Sequence, residues 1–197
     1  MLSPMITRIL AALAATVALF AIGPADAAPK LETAWFAGGC FWCLEHDMAE
    51  IPGVVDAVSG YAGGDLQNPT YENHEGHREA VRITYDPTKI TYRQLVDRFW
   101  PLVDVTDNGG QFCDRGPQYS TAVWVLNESQ RQAAEASKAA AAARAKGHRV
   151  VTPVLRYTSF WPAEGYHQDY ATKNPLRYGY YRASCGRDAR LKSVWGR

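Results

Sequence analysis

The spacing of apolar and polar positions marks out a short series of elements along this chain. Thr33-Ala34-Trp35-Phe36-Ala37 is short, apolar and aromatic, and predicts a buried strand. From Cys43 to Ile51, Leu44, Met48 and Ile51 fall on one face of a helix, and Gly38-Gly39 punctuates the junction between the two. Val54 to Tyr61, small and branched after Pro52-Gly53, predicts a second strand, ended by Gly60-Tyr61-Ala62-Gly63-Gly64. The polar stretch from there to His77 has no period, and a loop of that length in a compact domain is functional or disordered. Glu79 to Tyr85 alternates, with Val81, Ile83 and Tyr85 on one face, and Asp86-Pro87 breaks it. Thr91 and Gln94 have the spacing of a capping box, opening a helix whose Leu95, Phe99 and Leu102 form its inner stripe.

A second loop, Asp104 to Gln118, is rich in Gly, Asp and Asn and carries Cys113. Ser120 to Leu126 predicts a strand, and Asn127 caps an alanine-rich helix from Glu128 to about Lys146, where Gly147 stops it. Val150 to Trp161 is expected as the last strand, and everything from Pro162 onward as coil with short turns. The order strand, helix, strand, strand, helix, strand, helix, strand gives an α+β class with helices layered on a mixed sheet.

The N-terminus stands apart. Arg8 precedes an apolar run from Ile9 to Ile22, and Ala25-Asp26-Ala27 has the small-x-small form of a signal-peptidase site. A run of about 14 residues is short for a bilayer span and suits a secretory signal. Residues 1–27 are therefore expected to be cleaved after Ala27, with residues 28–197 exported, in the periplasm, as a single domain. An uncleaved membrane anchor is the competing interpretation; no cysteine near the site invites a lipid anchor, and no stable membrane association is expected after cleavage. The formal net charge is +1, which argues against nucleic acid or an anionic membrane as the main partner. A monomer is expected.

All four cysteines, Cys40, Cys43, Cys113 and Cys185, lie beyond residue 27. In an exported protein they admit two structural disulfides, in any of three connectivities. Cys40-x-x-Cys43 at a helix start is also redox-motif spacing. Leu44 excludes haem attachment, and a single CxxC without a second pair is a poor zinc signature; no metal or organic cofactor is expected. Cys40 sits where strand gives way to helix, a place where unpaired backbone N–H groups and the helix dipole favour a thiolate. That is a nucleophile's position.

The octapeptide Gly38-Gly39-Cys40-Phe41-Trp42-Cys43-Leu44-Glu45 resembles the signature around the catalytic cysteine of type A peptide methionine sulfoxide reductases. The resemblance continues, in the same order, through Asn68-Pro69-Thr70-Tyr71, Gly76-His77-Arg78-Glu79-Ala80-Val81, Asp114-Arg115-Gly116-Pro117-Gln118-Tyr119, and Phe160 to Tyr170 with its His167-Gln168-Asp169-Tyr170 ending. It implies a two-layer α/β sandwich with a ferredoxin-like core and a long coil C-terminus. It further implies reduction of methionine S-sulfoxide, free or in proteins, as a repair of oxidised chains. Cys40 would be the nucleophile, Glu79 the general acid, and Tyr71 and Tyr119 hydroxyl donors to the sulfoxide oxygen. Phe41 and Trp42 would wall the methyl group, and Asp114, His167 and Tyr170 would contribute to the same pocket.

Sulfoxide reduction also needs a second thiol to convert the nucleophile's sulfenic acid to a disulfide. Family members carry a recycling cysteine in the C-terminal coil, so Cys185 is the expected partner; Cys43, where the family more often has glycine, and Cys113 are the alternatives. A thioredoxin-like dithiol would reopen the disulfide. Two rival classes remain: a thiol–disulfide oxidoreductase using Cys40-x-x-Cys43 directly, and a module that binds methionine-like side chains without chemistry.

Overall fold

The architecture is that of a computed structural model, which describes residues 29–145 and 148–196. The proposed signal segment and the stop at Gly147 lie outside the described residues. The strands are β1 (Glu32–Ala37), β2 (Val54–Ala62), β3 (Arg78–Tyr85), β4 (Gly110–Gln111), β5 (Asp114–Arg115), β6 (Ala122–Val125), β7 (Val154–Arg156) and β8 (Phe160–Pro162). The α-helices are α1 (Phe41–Ala49), α2 (Tyr92–Phe99), α3 (Glu128–Arg144), α4 (Tyr170–Lys173), α5 (Pro175–Ser184) and α6 (Arg187–Trp195). Six strands form one mixed sheet in the order β7-β6-β1-β3-β2-β8, with only β6–β7 parallel; β4 and β5 make a separate hairpin. The class is α+β.

β1 runs through the centre, antiparallel to both β3 and β6, with Trp35 opposite Arg82 and Trp124. A central strand covered on both faces needs apolar residues at successive positions, which is why Ala34-Trp35-Phe36-Ala37 is apolar without alternation. Ala34 and Phe36 face a core shared with Val81, Ile83, Leu44, Leu95 and Phe99 beneath the helices. Trp35 and Ala37 face a smaller cluster with Ala80, Ala122 and Trp124 on the other side. α2 opens with the expected reciprocal cap: Gln94 N–H donates to Thr91 Oγ1 (3.2 Å) and Thr91 N–H to Gln94 Oε1 (2.9 Å). α3 lays Ala134, Ser137 and Ala141 against the core, and Ser137 accepts from the buried Trp100 indole at 2.7 Å. No helix among the described residues is long and apolar enough to cross a membrane.

Three expectations are corrected. The first helix begins at Phe41 rather than at Cys43 and ends at Ala49, with Cys40 as its N-cap at the expected junction of strand and helix. Val150 to Trp161 is not one strand: β7 pairs with β6 at one edge, and β8 pairs with β2 at the other. Between them the chain crosses the face of the sheet, and Tyr157 packs tilted against Trp35 with ring centroids 4.1 Å apart. A continuous strand cannot serve two opposite edges. Finally, the C-terminus is helical rather than coil. α5 has Pro175 in its first turn, α6 follows after Gly186 in a left-handed conformation, and polar ties to distant segments hold both in place. Helices this short gain stability from docking more than from propensity, so Tyr-, Arg- and Gly-rich composition gave them no local signal.

Candidate active site

The turn from β1 into α1 places Cys40. Gly39 takes φ +79°, and a Cβ there would collide with Gln111. Gln111 is itself fully buried and holds Asp104 by hydrogen bonds to its N–H and C=O, both 2.8 Å. Cys40 follows with its carbonyl accepting from Cys43 and Leu44 N–H. The first N–H of the helix does not serve the thiol, however: Phe41 N–H donates to Glu79 Oε2 at 2.9 Å. Strand β3 thus delivers its Glu79 carboxyl to the N-terminus of the nucleophile's own helix.

Glu79 is 2 % exposed. Burial pushes its carboxyl up to about 8; the Phe41 N–H opposes this, and the charges of Asp114 and Cys43 add to it. It is therefore an acid at neutral pH. Burial and the Glu79 charge also raise the Tyr71 and Tyr119 hydroxyls, which interact with each other, so both remain donors. Tyr71 comes from the long loop after β2, where Glu164 accepts from its N–H at 2.9 Å and from the Tyr61 hydroxyl at 2.8 Å. Tyr119 comes from a short 3-10 turn, Pro117–Tyr119. Three proton-bearing side chains, Glu79 from β3 and the two tyrosines from separate loops, are thus gathered beside the start of α1.

The aromatic residues gather beside them. Phe41 is buried against Tyr61, Tyr71 and His167, at centroid distances of 5.9, 6.4 and 5.0 Å. Trp42 donates its indole N–H to His167 Nδ1 at 3.0 Å, which leaves the proton of a neutral His167 on Nε2. That nitrogen is buried without a protein partner, and burial lowers the imidazole's proton affinity. Tyr170 stacks flat on Trp42 at 3.7 Å and 8°, so it supports the wall from behind. Asp114 accepts a hydrogen bond from Tyr181.

The thiols are arranged differently from expectation. Cys185 is disulfide-bonded to Cys113, across 72 residues, and in this form offers no thiol to Cys40. Cys40 and Cys43 are free, buried, and hydrogen-bonded to each other. Nor is Cys40 the ionised member at rest. Burial raises its thiol, and the neighbouring Cys43 and Glu79 charges raise it further, against a hydrogen bond from Tyr181. Cys43 is brought down to about 7, chiefly by the hydrogen bond from Cys40; burial opposes this, while Arg187 and Arg182 favour its thiolate. The helix N-terminus that was expected to ionise Cys40 is occupied by Glu79.

Nothing along the chain marked Tyr181, Arg182, Arg187 or Asp47 as part of this site. Tyr181 packs with Trp42 against the Cys40–Cys43 cluster. Arg182 binds both Asp47 oxygens (2.8 and 3.0 Å), the Tyr178 hydroxyl and Asp188. All but Asp47 come from α5 and α6, where no motif marks them; Asp47 lies one turn beyond Cys43, a spacing that only gains meaning once the arginines are seen. No group of three or more His, Cys, Asp or Glu side chains among the described residues converges to hold a metal ion.

Comparison with known proteins is consistent across sequence and structure. Residues 32–197 match the family model described as peptide methionine sulfoxide reductase. The chain is 57 % identical over 187 residues to peptide methionine sulfoxide reductase MsrA 2 of Caulobacter vibrioides, covering 93 % of this chain and 95 % of that one. In three dimensions it resembles methionine sulfoxide reductase A of Corynebacterium diphtheriae with a TM-score of 0.67 and 34 % identity, over 76 % of this chain and 77 % of that one. It also resembles reduced Mxr1 of Saccharomyces cerevisiae, with a TM-score of 0.69 and 28 % identity, over 74 % and 87 % of the respective chains. This chain belongs to the peptide methionine sulfoxide reductase family.

Proposed function

We propose that the protein reduces methionine S-sulfoxide, free or within oxidised proteins, to methionine. The observation that carries this reading is the buried Glu79 carboxyl, anchored on the Phe41 N–H and protonated at neutral pH, on the same helix start as Cys40. The Cys40 sulfur gives up its proton to solvent and bonds to the sulfoxide sulfur while Glu79 gives its proton to the sulfoxide oxygen and later regains one from solvent, and the Tyr71 and Tyr119 hydroxyls bear on the charge developing there. Phe41 and Trp42 hold the methyl group. Oxygen passes to Cys40 as a sulfenic acid and methionine leaves. Cys43 then attacks that sulfenic sulfur, expelling water and leaving a Cys40–Cys43 disulfide. Its hydrogen bond to Cys40, together with the engagement of Cys185 by Cys113, favours Cys43 for this step. An external dithiol of the thioredoxin kind returns both thiols.

The S-epimer preference rests on family membership. Export to the periplasm with cleavage after Ala27 is supported by Arg8, the apolar run and Ala25-Asp26-Ala27, and by a Cys113–Cys185 disulfide suited to an oxidising compartment. The chain is expected to work as a monomer. Single-turnover reduction of a peptide carrying methionine S-sulfoxide tests the reading. One methionine should form per enzyme with the loss of two thiols, Cys40→Ser should form none, and a surviving first turnover in Cys40→Ser discards the mechanism. The mass of the protein purified from its native source tests the cleavage; an intact N-terminus discards that.

A further inference from the structure

Cys43 is 1 % exposed and Cys40 5 %. The side chains packed over them are Trp42 of α1, Tyr170 and Ala171 of α4, and Tyr178 and Tyr181 of α5. A slim methionine side chain needs little room. A reductant of the thioredoxin kind carries its cysteine on a folded domain, and exchange requires its thiolate to reach one sulfur of the disulfide it reduces.

Among the covering elements, α5 is weakly seated. Tyr178 is its only buried residue, and Leu176 is 90 % exposed. A helix with so few buried apolar contacts belongs to the readily opened part of a fold. Three ties hold it down. Arg182 grips both Asp47 oxygens, Tyr181 donates to Asp114, and Cys185 at the helix end is bonded to Cys113, the residue before Asp114. Its flanks are anchored independently. On one side Asp169 N–H donates to Glu45 Oε1 at 2.9 Å; on the other Trp195 donates to Val103 O at 3.0 Å and Arg190 to Asp104 Oδ2 at 2.6 Å. Gly186, left-handed and with open space about its Cα, joins α5 to α6, and Asn174 joins α4 to α5. Unlike the thiol pair beneath, this disulfide lies at the surface: Cys113 is exposed and Cys185 half-buried.

We propose that Cys113–Cys185 is a second site of action for the external dithiol, a latch whose reduction lets α5 swing out on Asn174 and Gly186 and bares Cys43. The order of recharging follows, and it rests on the sulfoxide reduction described above only for the formation of Cys40–Cys43. A thiolate of the dithiol attacks the Cys113 sulfur, and Cys185 leaves as a thiolate. The dithiol's second thiolate then displaces Cys113, so the reductant departs as a disulfide having given two electrons. The two protons it shed into solvent are matched by those that Cys113 and Cys185 take up. With α5 displaced, a second dithiol reduces Cys40–Cys43 by the same exchange. The two pairs never trade sulfurs; the first only governs access to the second.

The test reads access to Cys43 in a Cys40→Ser background, with a maleimide on a polyethylene glycol chain as the probe and its site mapped by peptide mass. Once dithiothreitol has opened Cys113–Cys185 and been removed, or in a Cys113→Ser/Cys185→Ser variant, Cys43 should react about tenfold faster or more than with the disulfide closed. Hydrogen exchange should quicken over residues 175–186 by more than any change in β1 and β3. Equal Cys43 rates, or a quickening in β1 and β3 as large as that in α5, overturns the assignment. If the double variant does not fold, the dithiothreitol-treated protein decides. After one turnover, thioredoxin should open Cys113–Cys185 before Cys40–Cys43; the reverse order also overturns it. The maleimide measurement needs no turnover, so it stands or falls separately from sulfoxide reduction.

Discussion

The start of α1 and the α5–α6 arm meet at the same two sulfurs and are built on different principles. The first is fixed by backbone: a left-handed Gly39 pressed against Gln111, a helix that begins on Cys40, and a first N–H committed to Glu79. The second is fixed by side chains: Arg182 on Asp47, Arg187 on the carbonyls of Gly38 and Leu102, Tyr181 on Asp114, and a disulfide from Cys185 to Cys113. A backbone-built site holds its geometry whatever the charge state around it. An arm held by ion pairs and a disulfide responds to pH and redox state, because those ties are what pH and reductants alter. The nucleophile belongs to the rigid region, and its electrostatic environment to the responsive one.

This contrast can be broken most sharply at Glu79. Glu79→Gln keeps the shape but supplies no acid, and should slow the first turnover by about 10²- to 10⁴-fold; an unchanged single-turnover rate would remove it from that role. In the parent enzyme the rate should fall as pH rises through about 8, where the acid ionises. Folding stability carries the same signature. A carboxyl raised from 4.5 to about 8 binds its proton more tightly folded than unfolded. Stability should therefore be fullest below pH 4.5 and decline as pH climbs toward 8, a slope that denaturant titrations of Glu79→Gln should lack.

Next comes the arm. Replacing both Cys113 and Cys185 by Ser should cost about 2–4 kcal/mol in chemical denaturation, yet leave two thiols lost per methionine formed, as the proposed second step by Cys43 requires. Loss of disulfide formation in that variant would return the resolving role to Cys185. At the rigid turn, Gly39→Ala should cost about 1–3 kcal/mol, from the left-handed conformation and the Gln111 contact; a fall under half a kcal/mol would mean that the turn yields. The smallest effect is expected for Tyr181→Phe. It removes one hydroxyl from Asp114 and Cys40 and should cost about 1 kcal/mol, with the Cys40 thiol raised further because that donor is gone.

Periodicity and short motifs revealed whatever was local. The alternation of Glu79 to Tyr85, the Thr91–Gln94 cap and the apolar Trp35-Phe36 run each report an environment within a few residues, and each corresponds to an observed element. The division of Val150 to Trp161 between two sheet edges was hidden, because an apolar stretch states that it is buried and not against which strand. The helicity of residues 175–195 was hidden too, since Pro, Gly and Tyr interrupt the helical pattern there and the stabilising partners lie as far as 149 residues away in sequence.

The sequence by itself determined a strand–glycine–helix turn presenting Cys40, the residue types for acid and hydroxyl donors, and an α+β class. Tertiary structure alone decided how those residues are set: that burial raises the Cys40 thiol while Cys43 is brought down, that Glu79 takes the helix's first N–H, and that Cys185 bonds to Cys113. The reason is physical. Whether a group is ionised depends on its dielectric surroundings and on charges brought close by folding, and neither is encoded by neighbours along the chain.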